Sequence, residues 1–187
     1  MLLRQDIFIL GSDHSTNLVR IAKKHQPHDV LVCDNLALPH SDAEEAAIQS
    51  GTRQGRFDFA ISIAVIHHLS TSERRRQAIR CILDCLRDGG EAMIYAWALE
   101  QKDSRRGWDE HSEQDVMVPW VMKTPKQKLE NGEVIEAKEE TKYRYYHLFR
   151  KGELEADIIA VGGEVVNAGY EKDNWWAVAR PMRLISS

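Results

Sequence analysis

The sequence predicts an α/β fold: a mostly parallel, doubly wound sheet closed by an antiparallel hairpin. Short apolar runs alternate with stretches of helical spacing, an order that requires parallel pairing through right-handed crossovers. The runs lack polar alternation, as expected of strands covered on both faces. The chain then ends on two strand-like runs that read as a closing antiparallel pair.

Ile7-Phe8-Ile9-Leu10-Gly11 is the first run, ending at Ser12-Asp13. Ser15-Thr16-Asn17 open a helix with Leu18, Ile21 and Ala22 on one side, and Val30-Leu31-Val32-Cys33 forms the next strand, ending at Asp34. Phe57–Ile66 is the third and most apolar strand. Ser70 and Glu73 have the spacing of a capping box, opening a helix with Ala78, Ile79, Ile82, Leu83 and Leu86 in phase. Gly89-Gly90 are expected to stop it, before a strand at Ala92–Trp97. Residues 99–142 are charged and too long for an ordinary connection, which predicts an irregular, functional insertion on the substrate side. Tyr146–Ala160 reads as a helix, and Glu164–Val166 with Trp175–Ala179 as the closing pair.

The 187 residues fit one domain, and 43% apolar residues allow a full core. No apolar run approaches the roughly 20 residues of a membrane helix, and Met1-Leu2-Leu3-Arg4 meets a charge too early for a secretion signal. Three cysteines with no metal-type spacing predict a reducing compartment, cytoplasmic or nuclear, with Cys81 and Cys85 packed in the core. No metal site is expected. The net charge of −4 excludes a global attraction to nucleic acid. Local basic groups remain: Arg74–Arg76 with Arg80; Lys123, Lys126 and Lys128; and Lys142, Arg144, Arg150 and Lys151. Several of them converging on one phosphate track would suit RNA.

In a doubly wound sheet, ligands bind beyond the C-terminal ends of the strands. Asp13 and Asp34 end successive strands, where one carboxylate can accept from ribose hydroxyls and the other from an adenine amino group. His67 and His68 lie at the mouth of the third strand. Adjacent side chains there point apart, which argues against zinc and leaves one histidine as a possible donor to substrate.

The blocks Phe57–Thr71 with Glu73-Arg74-Arg75, Ile94–Gln101, Asp115–Trp120, Arg144–Phe149 with Gly152-Glu153-Leu154, and Asn174-Trp175 together resemble the eukaryotic tRNA carboxymethyluridine methyltransferases. They recur in order from about residue 6 to residue 180, and the last four are the more specific to that family. The resemblance implies a Rossmann-like class I methyltransferase that uses S-adenosyl-L-methionine (SAM) to esterify 5-carboxymethyluridine at the anticodon wobble position. Asp13 would then hold the cofactor ribose, Asp34 with Asn35 the adenine, and Ala64 the methionine moiety. The family's glycine-rich loop would precede Ile7 and is not in this sequence, so the expectation is an N-terminally truncated chain without the first strand. Asp88 stands where many relatives carry proline.

A carboxylate nucleophile, with a pKa near 4, is already ionised at neutral pH and needs no general base. Catalysis then reduces to alignment in a site with little water. His67, Arg144 and His147 are the candidates for orienting the carboxylate or a nearby phosphate. Trp97, Tyr146, Asn174 and Trp175 are candidates for holding the extruded base, with core packing as the alternative for the tryptophans and satisfaction of backbone for His147 and Asn174. The apolar, unprotected strand Val30, Leu31, Val32 and Cys33 invites pairing with another chain. The resemblance implies a small zinc-binding activator subunit there, in a heterodimer, and the tRNA anticodon loop as substrate. A methyltransferase of another substrate and a non-catalytic binding module of the same fold are the alternatives. A nicotinamide-dependent dehydrogenase is disfavoured because no G-x-G-x-x-G is present.

Overall fold

The computed structural model describes residues 7–25, 29–38, 57–102, 104, 107–124, 127–128, 134–135 and 138–182. Four strands, β3 (Phe57–Ile63), β4 (Leu86–Trp97), β10 (Asn174–Pro181) and β9 (Gly163–Glu171), form one sheet in that order. β3 runs parallel to β4, whereas β10 is antiparallel to both of its neighbours. β1 (Leu10–Asp13) and β2 (Asp29–Val32) form a separate parallel pair around helix α1 (Thr16–Lys24). Helices α2 (Ser72–Asp84) and α3 (Glu153–Ala160) cover one face of the larger sheet. Their Ile79, Ile82, Leu83, Leu154 and Ile158 pack with Leu86, Ile94 and Phe149 into the main core. The other face of β3 leaves Phe59, Ile61 and Ile63 exposed. Among the described residues, no helix is long and apolar enough to cross a membrane.

Several boundaries differ from the sequence expectation, each for a local reason. β1 starts at Leu10, where its pairing with Asp29 starts, and Ile7–Ile9 lie outside it and exposed. In α1 the buried residue is Val19, whereas Leu18 and Ile21 are exposed. The cap of α2 is Thr71, whose hydroxyl accepts from the Arg74 N–H, rather than Ser70. With Thr71 at the cap, the third helical residue is Arg74 rather than Glu73, so no capping box forms. β3 ends at Ile63, because Ala64 turns into the left-handed region at φ 59° and starts a short 3₁₀ turn, Ile66–His68.

Gly89 and Gly90 do not stop α2, which ends before them; they lie inside β4. The register of β3 on β4 slips there, from Phe57↔Leu86 to Phe59↔Glu91. A Cβ on Gly90 would sit 2.9 Å from the Phe57 carbonyl and 3.1 Å from that of Arg87, both rigid backbone. We expect Gly90→Ala to lower the unfolding free energy by roughly 1–3 kcal/mol, the usual cost of overpacking; denaturant melts would measure it, and an unchanged midpoint would contradict the close approach.

The largest correction concerns residues 99–142. The described residues before Asp115 are turns and irregular chain as expected, but the rest is not: β5 (Asp115–Thr124) pairs antiparallel with β8 (Lys138–His147) over ten register pairs, and β6 (Gln127–Lys128) with β7 (Val134–Ile135). Lys126, Glu136 and the acidic stretch Asp42–Glu45 lie outside the described residues. Tyr146 and His147 therefore belong to a strand rather than to the expected helix, which begins only at Glu153 after the left-handed Gly152. The closing pair is longer than expected and turns at Lys172-Asp173, both at positive φ, the geometry of a type I′ hairpin.

Candidate functional site

The C-terminal ends of β1 and β2 bring Asp13 and Asp34 to the same edge. Asp13 ends β1, and Asp34 follows β2 by two residues; the Cys33 N–H donates to the Asp13 carbonyl and ties the two tips together. Each carboxylate places only Oδ1 on its own loop, accepting from Ser15 N–H at 2.7 Å and from Leu36 N–H at 3.0 Å. Both stay open enough to accept from a ligand: the Asp13 side chain is 42% exposed and Asp34 is exposed. A ribose and an adenine amino group are donors and need acceptor-only partners, so this pair fits the adenosyl part of SAM. Asn35 lies in the turn that follows. Ala64, exposed in its strained turn, donates its N–H to the Tyr95 carbonyl.

The ends of β3 and β4 meet in an aromatic cluster. Trp97 stacks on Tyr146 at 4.4 Å and 11°, while His67 and His68 meet the Tyr146 ring at 5.1 and 4.5 Å. Trp108 leans against Trp97, and Leu99, Val118 and Leu148 pack behind. His67 is fully buried, and burial, helped by the neighbouring His68, pushes its pKa down to about 3. It is therefore neutral. Its Nδ1 accepts from the Trp97 N–H at 3.1 Å, which places the proton on Nε2. That nitrogen is buried with no hydrogen-bond partner among the described residues, a costly state that an acceptor would relieve.

His147 is placed differently from the sequence expectation. Its Nδ1 lies 2.9 Å from Asp115 and its Nε2 2.7 Å from Glu153. Both partners are carboxylates that only accept, so the doubly protonated ring satisfies them best. Arg75, buried, adds to the knot: it donates to the Leu69 carbonyl, lies 3.8 Å from Glu153 and packs over Phe149 at 5.7 Å. Tyr145 donates its hydroxyl to Asp115, and burial together with that carboxylate pushes its pKa up to about 12. His147 thus ties the β5–β8 hairpin to α3 and has no nitrogen left for substrate.

Burial opposes the imidazolium, but the bonds to Glu153 and Asp115 outweigh it and raise the His147 pKa. Against their own burial, the Tyr145 hydroxyl and then His147 lower the pKa of Asp115, and His147 lowers that of Glu153. A raised histidine stabilises fully below its unfolded pKa of about 6.5 and loses that contribution as pH climbs through the folded value. The lowered acids contribute above about pH 4 and lose it as pH falls through their folded values. The knot should hold best between those limits. We expect wild type to lose thermal stability relative to His147→Gln as pH rises from 6 to 9; parallel melting profiles would contradict the assignment.

Three other sequence candidates are also placed outside the aromatic cluster. Arg144 stands opposite Val118 on β8, exposed, with its guanidinium over the Trp120 ring at 4.9 Å. Asn174 donates its amide to the Lys172 and Glu171 carbonyls and so braces the β9–β10 turn. The Trp175 indole donates to Glu100 at 3.1 Å, with its ring against Tyr170. Glu100, Lys102, Trp108, Asp109, Glu110 and His111 help line an open depression of about 320 Å³; three carboxylates against one lysine make it a poor host for an anion. Trp108, Arg75 and Glu153 were not among the sequence candidates. The glutamate could have been suspected from its place just after Gly152, at the start of α3. No cluster of metal-ligating side chains occurs among the described residues.

Comparison with known proteins follows the same lines. A family profile described as a methyltransferase domain matches residues 1–92. The chain is 43% identical over 179 residues to the tRNA (carboxymethyluridine(34)-5-O)-methyltransferase of Schizosaccharomyces pombe, covering 93% of this chain and 72% of that protein. It is 40% identical over 225 residues to the protein of the same name from Saccharomyces cerevisiae, covering 94% and 76%. Among solved structures, an S-adenosylmethionine-dependent methyltransferase from Clostridium acetobutylicum superposes with a TM-score of 0.62 at 9% identity, over 94% of this chain and 76% of that one. A glycopeptide N-methyltransferase complexed with SAM gives 0.58 at 14% identity, over 92% and 71%. At such identities these structures establish the class I methyltransferase fold alone.

Proposed function

Because the chain belongs to the tRNA (carboxymethyluridine(34)-5-O)-methyltransferase family, we propose that it transfers the methyl group of SAM to the carboxylate of 5-carboxymethyluridine at the anticodon wobble position, leaving the methyl ester. The observation that carries the reading to this chain's own residues is the pair of acceptor-only acids brought to one edge by the tips of β1 and β2; the buried Nε2 of His67, without a partner among the described residues, adds a donor at the end of β3. SAM supplies an electrophilic methyl carbon on a positively charged sulfur.

The residues would divide the work. Asp13 accepts from the ribose, and Asp34 with Asn35 binds the adenine. The strained turn at Ala64 brings backbone close to the methionine end. Trp97, half-buried and backed by Tyr146, offers its remaining surface to the uracil ring. His67, neutral and held by the Trp97 N–H, donates from Nε2 to the substrate carboxylate and orients the oxygen that attacks. A neutral donor orients the anion without overbinding it, so the nucleophile keeps its reactivity. Water excluded by the aromatic walls strengthens that single hydrogen bond.

The proposal extends to a partner. Among the described residues β2 pairs only with β1, and Val32 is half exposed. An open edge at Val30, Leu31 and Val32 suits strand addition by the small zinc-binding activator subunit that the family resemblance implies. Cys33 stands apart from that edge, its thiol donating to the Ala37 and Asp34 carbonyls.

The test is incorporation of labelled methyl groups by the full-length protein, with its activator subunit, into tRNA carrying 5-carboxymethyluridine. Label in the tRNA that mild alkali releases as methanol is expected. Methylation of small acids alone, with tRNA unlabelled, would overturn the reading.

A further inference from the structure

The β5–β8 hairpin has one face that changes character along its length. In register, Val116 lies opposite Tyr146, Val118 opposite Arg144 and Trp120 opposite Lys142, all on the same side. The inner pair, with Val118, packs into the aromatic cluster of Trp97 and Trp108. The outer residues do not: Trp120 is 49% exposed, with the Arg144 guanidinium over its ring. A tryptophan left open at this level is out of place as packing, since its apolar area normally goes to a core. Lys142 and Lys123 approach Glu140 and Glu139 at 3.7 and 3.6 Å, whereas Arg144 has no carboxylate partner among the described residues. An indole with open surface and a cation on its face, on the same side of the hairpin as Val116 and Tyr146, is a combination that reads single-stranded nucleic acid: bases stack on the ring and the guanidinium meets backbone phosphate.

We propose that Trp120 and Arg144 form a stacking platform for an unpaired RNA base next to the methylated nucleotide. The platform rests on the tRNA reading above and adds to it a second contact, about 13 Å along the strands from the Val116–Tyr146 pair at ~3.4 Å per residue. Tyr146 walls the target nucleotide, and Trp120 with Arg144 holds its neighbour, so that the loop is gripped on both sides of the reacting group.

The experiment is binding of a fluorescently labelled anticodon stem-loop RNA to the full-length protein across a salt series. Trp120→Ala is expected to weaken binding about 5- to 100-fold with the salt slope unchanged, because stacking releases no counterions. Trp120→Phe should recover most of the affinity. Arg144→Ala should lower the slope of log K against log salt by about one phosphate. Melting temperatures are expected to stay at the wild-type value for Trp120→Ala. Wild-type affinity in Trp120→Ala, or a loss of affinity that tracks a loss of stability, overturns the platform and leaves the methyltransferase reading standing. A wild-type protein that neither binds the RNA nor methylates tRNA overturns both.

Discussion

Truncating Phe149 to alanine is expected to lower the unfolding free energy by about 3–5 kcal/mol. The residue is fully buried and is the largest side chain at that depth. Its backbone locks two elements together, with the N–H donating to the Trp97 carbonyl and the carbonyl accepting from Leu99 N–H, both at 2.8 Å. Its ring carries the Arg75 guanidinium on one side and meets the His147 ring edge-on at 5.2 Å. Alanine would keep the backbone bonds, open a cavity in the main core and remove the surface on which the Arg75 cation packs. With domain stability ordinarily 5–15 kcal/mol, the loss is a large share of the whole. Denaturant titration would show it as a lower midpoint. A change below about 1 kcal/mol would mean that the ring is not packed as described.

The second large effect concerns the cofactor. Asp13→Asn should weaken SAM binding by roughly 10- to 100-fold, the value of a hydrogen bond to a charged acceptor, with little change in melting temperature. Asparagine still accepts the Ser15 N–H that Asp13 holds at 2.7 Å, so the turn into α1 survives. What is lost is the charge and the second acceptor, which a ribose diol needs. Asp58→Asn is the control. Asp58 lies near the N-terminal end of β3, where it pairs with Arg87 on the surface, and ligands of such sheets bind at the other end. Calorimetry on the full-length protein measures both. Equal affinities for wild type and Asp13→Asn would remove Asp13 from the cofactor site.

Legibility followed the range of the interactions involved. The strands and helices that alternate through β4 could be read because an apolar run or a 3.6-residue period is a local pattern that burial then rewards. The closing hairpin was legible for the same reason, though its length was not. The strands within residues 99–142 are not legible because their alternation is weak: β5 runs Val-Met-Val-Pro-Trp-Val-Met and β8 is mostly charged, and each becomes a strand only by pairing with the other, 14 to 32 residues away. Tyr146–Phe149 mimics a helical start for the same reason, and nothing nearby reveals that Tyr146 faces Val116 across a ladder.

By itself, then, the amino-acid order determined the alternating α/β architecture, the acids at two strand tips and the family blocks that name the reaction. Chain-distant contacts decided the roles of the rest. Two carboxylates, one at the start of β5 and one on α3, turn His147 from a candidate donor into a tether. Burial and His68 keep His67 neutral, and a backbone N–H thirty residues away fixes its proton on Nε2. A side chain's chemistry depends on its charge state and its unused hydrogen-bonding atoms, and both are set by neighbours that only folding brings within 3 Å.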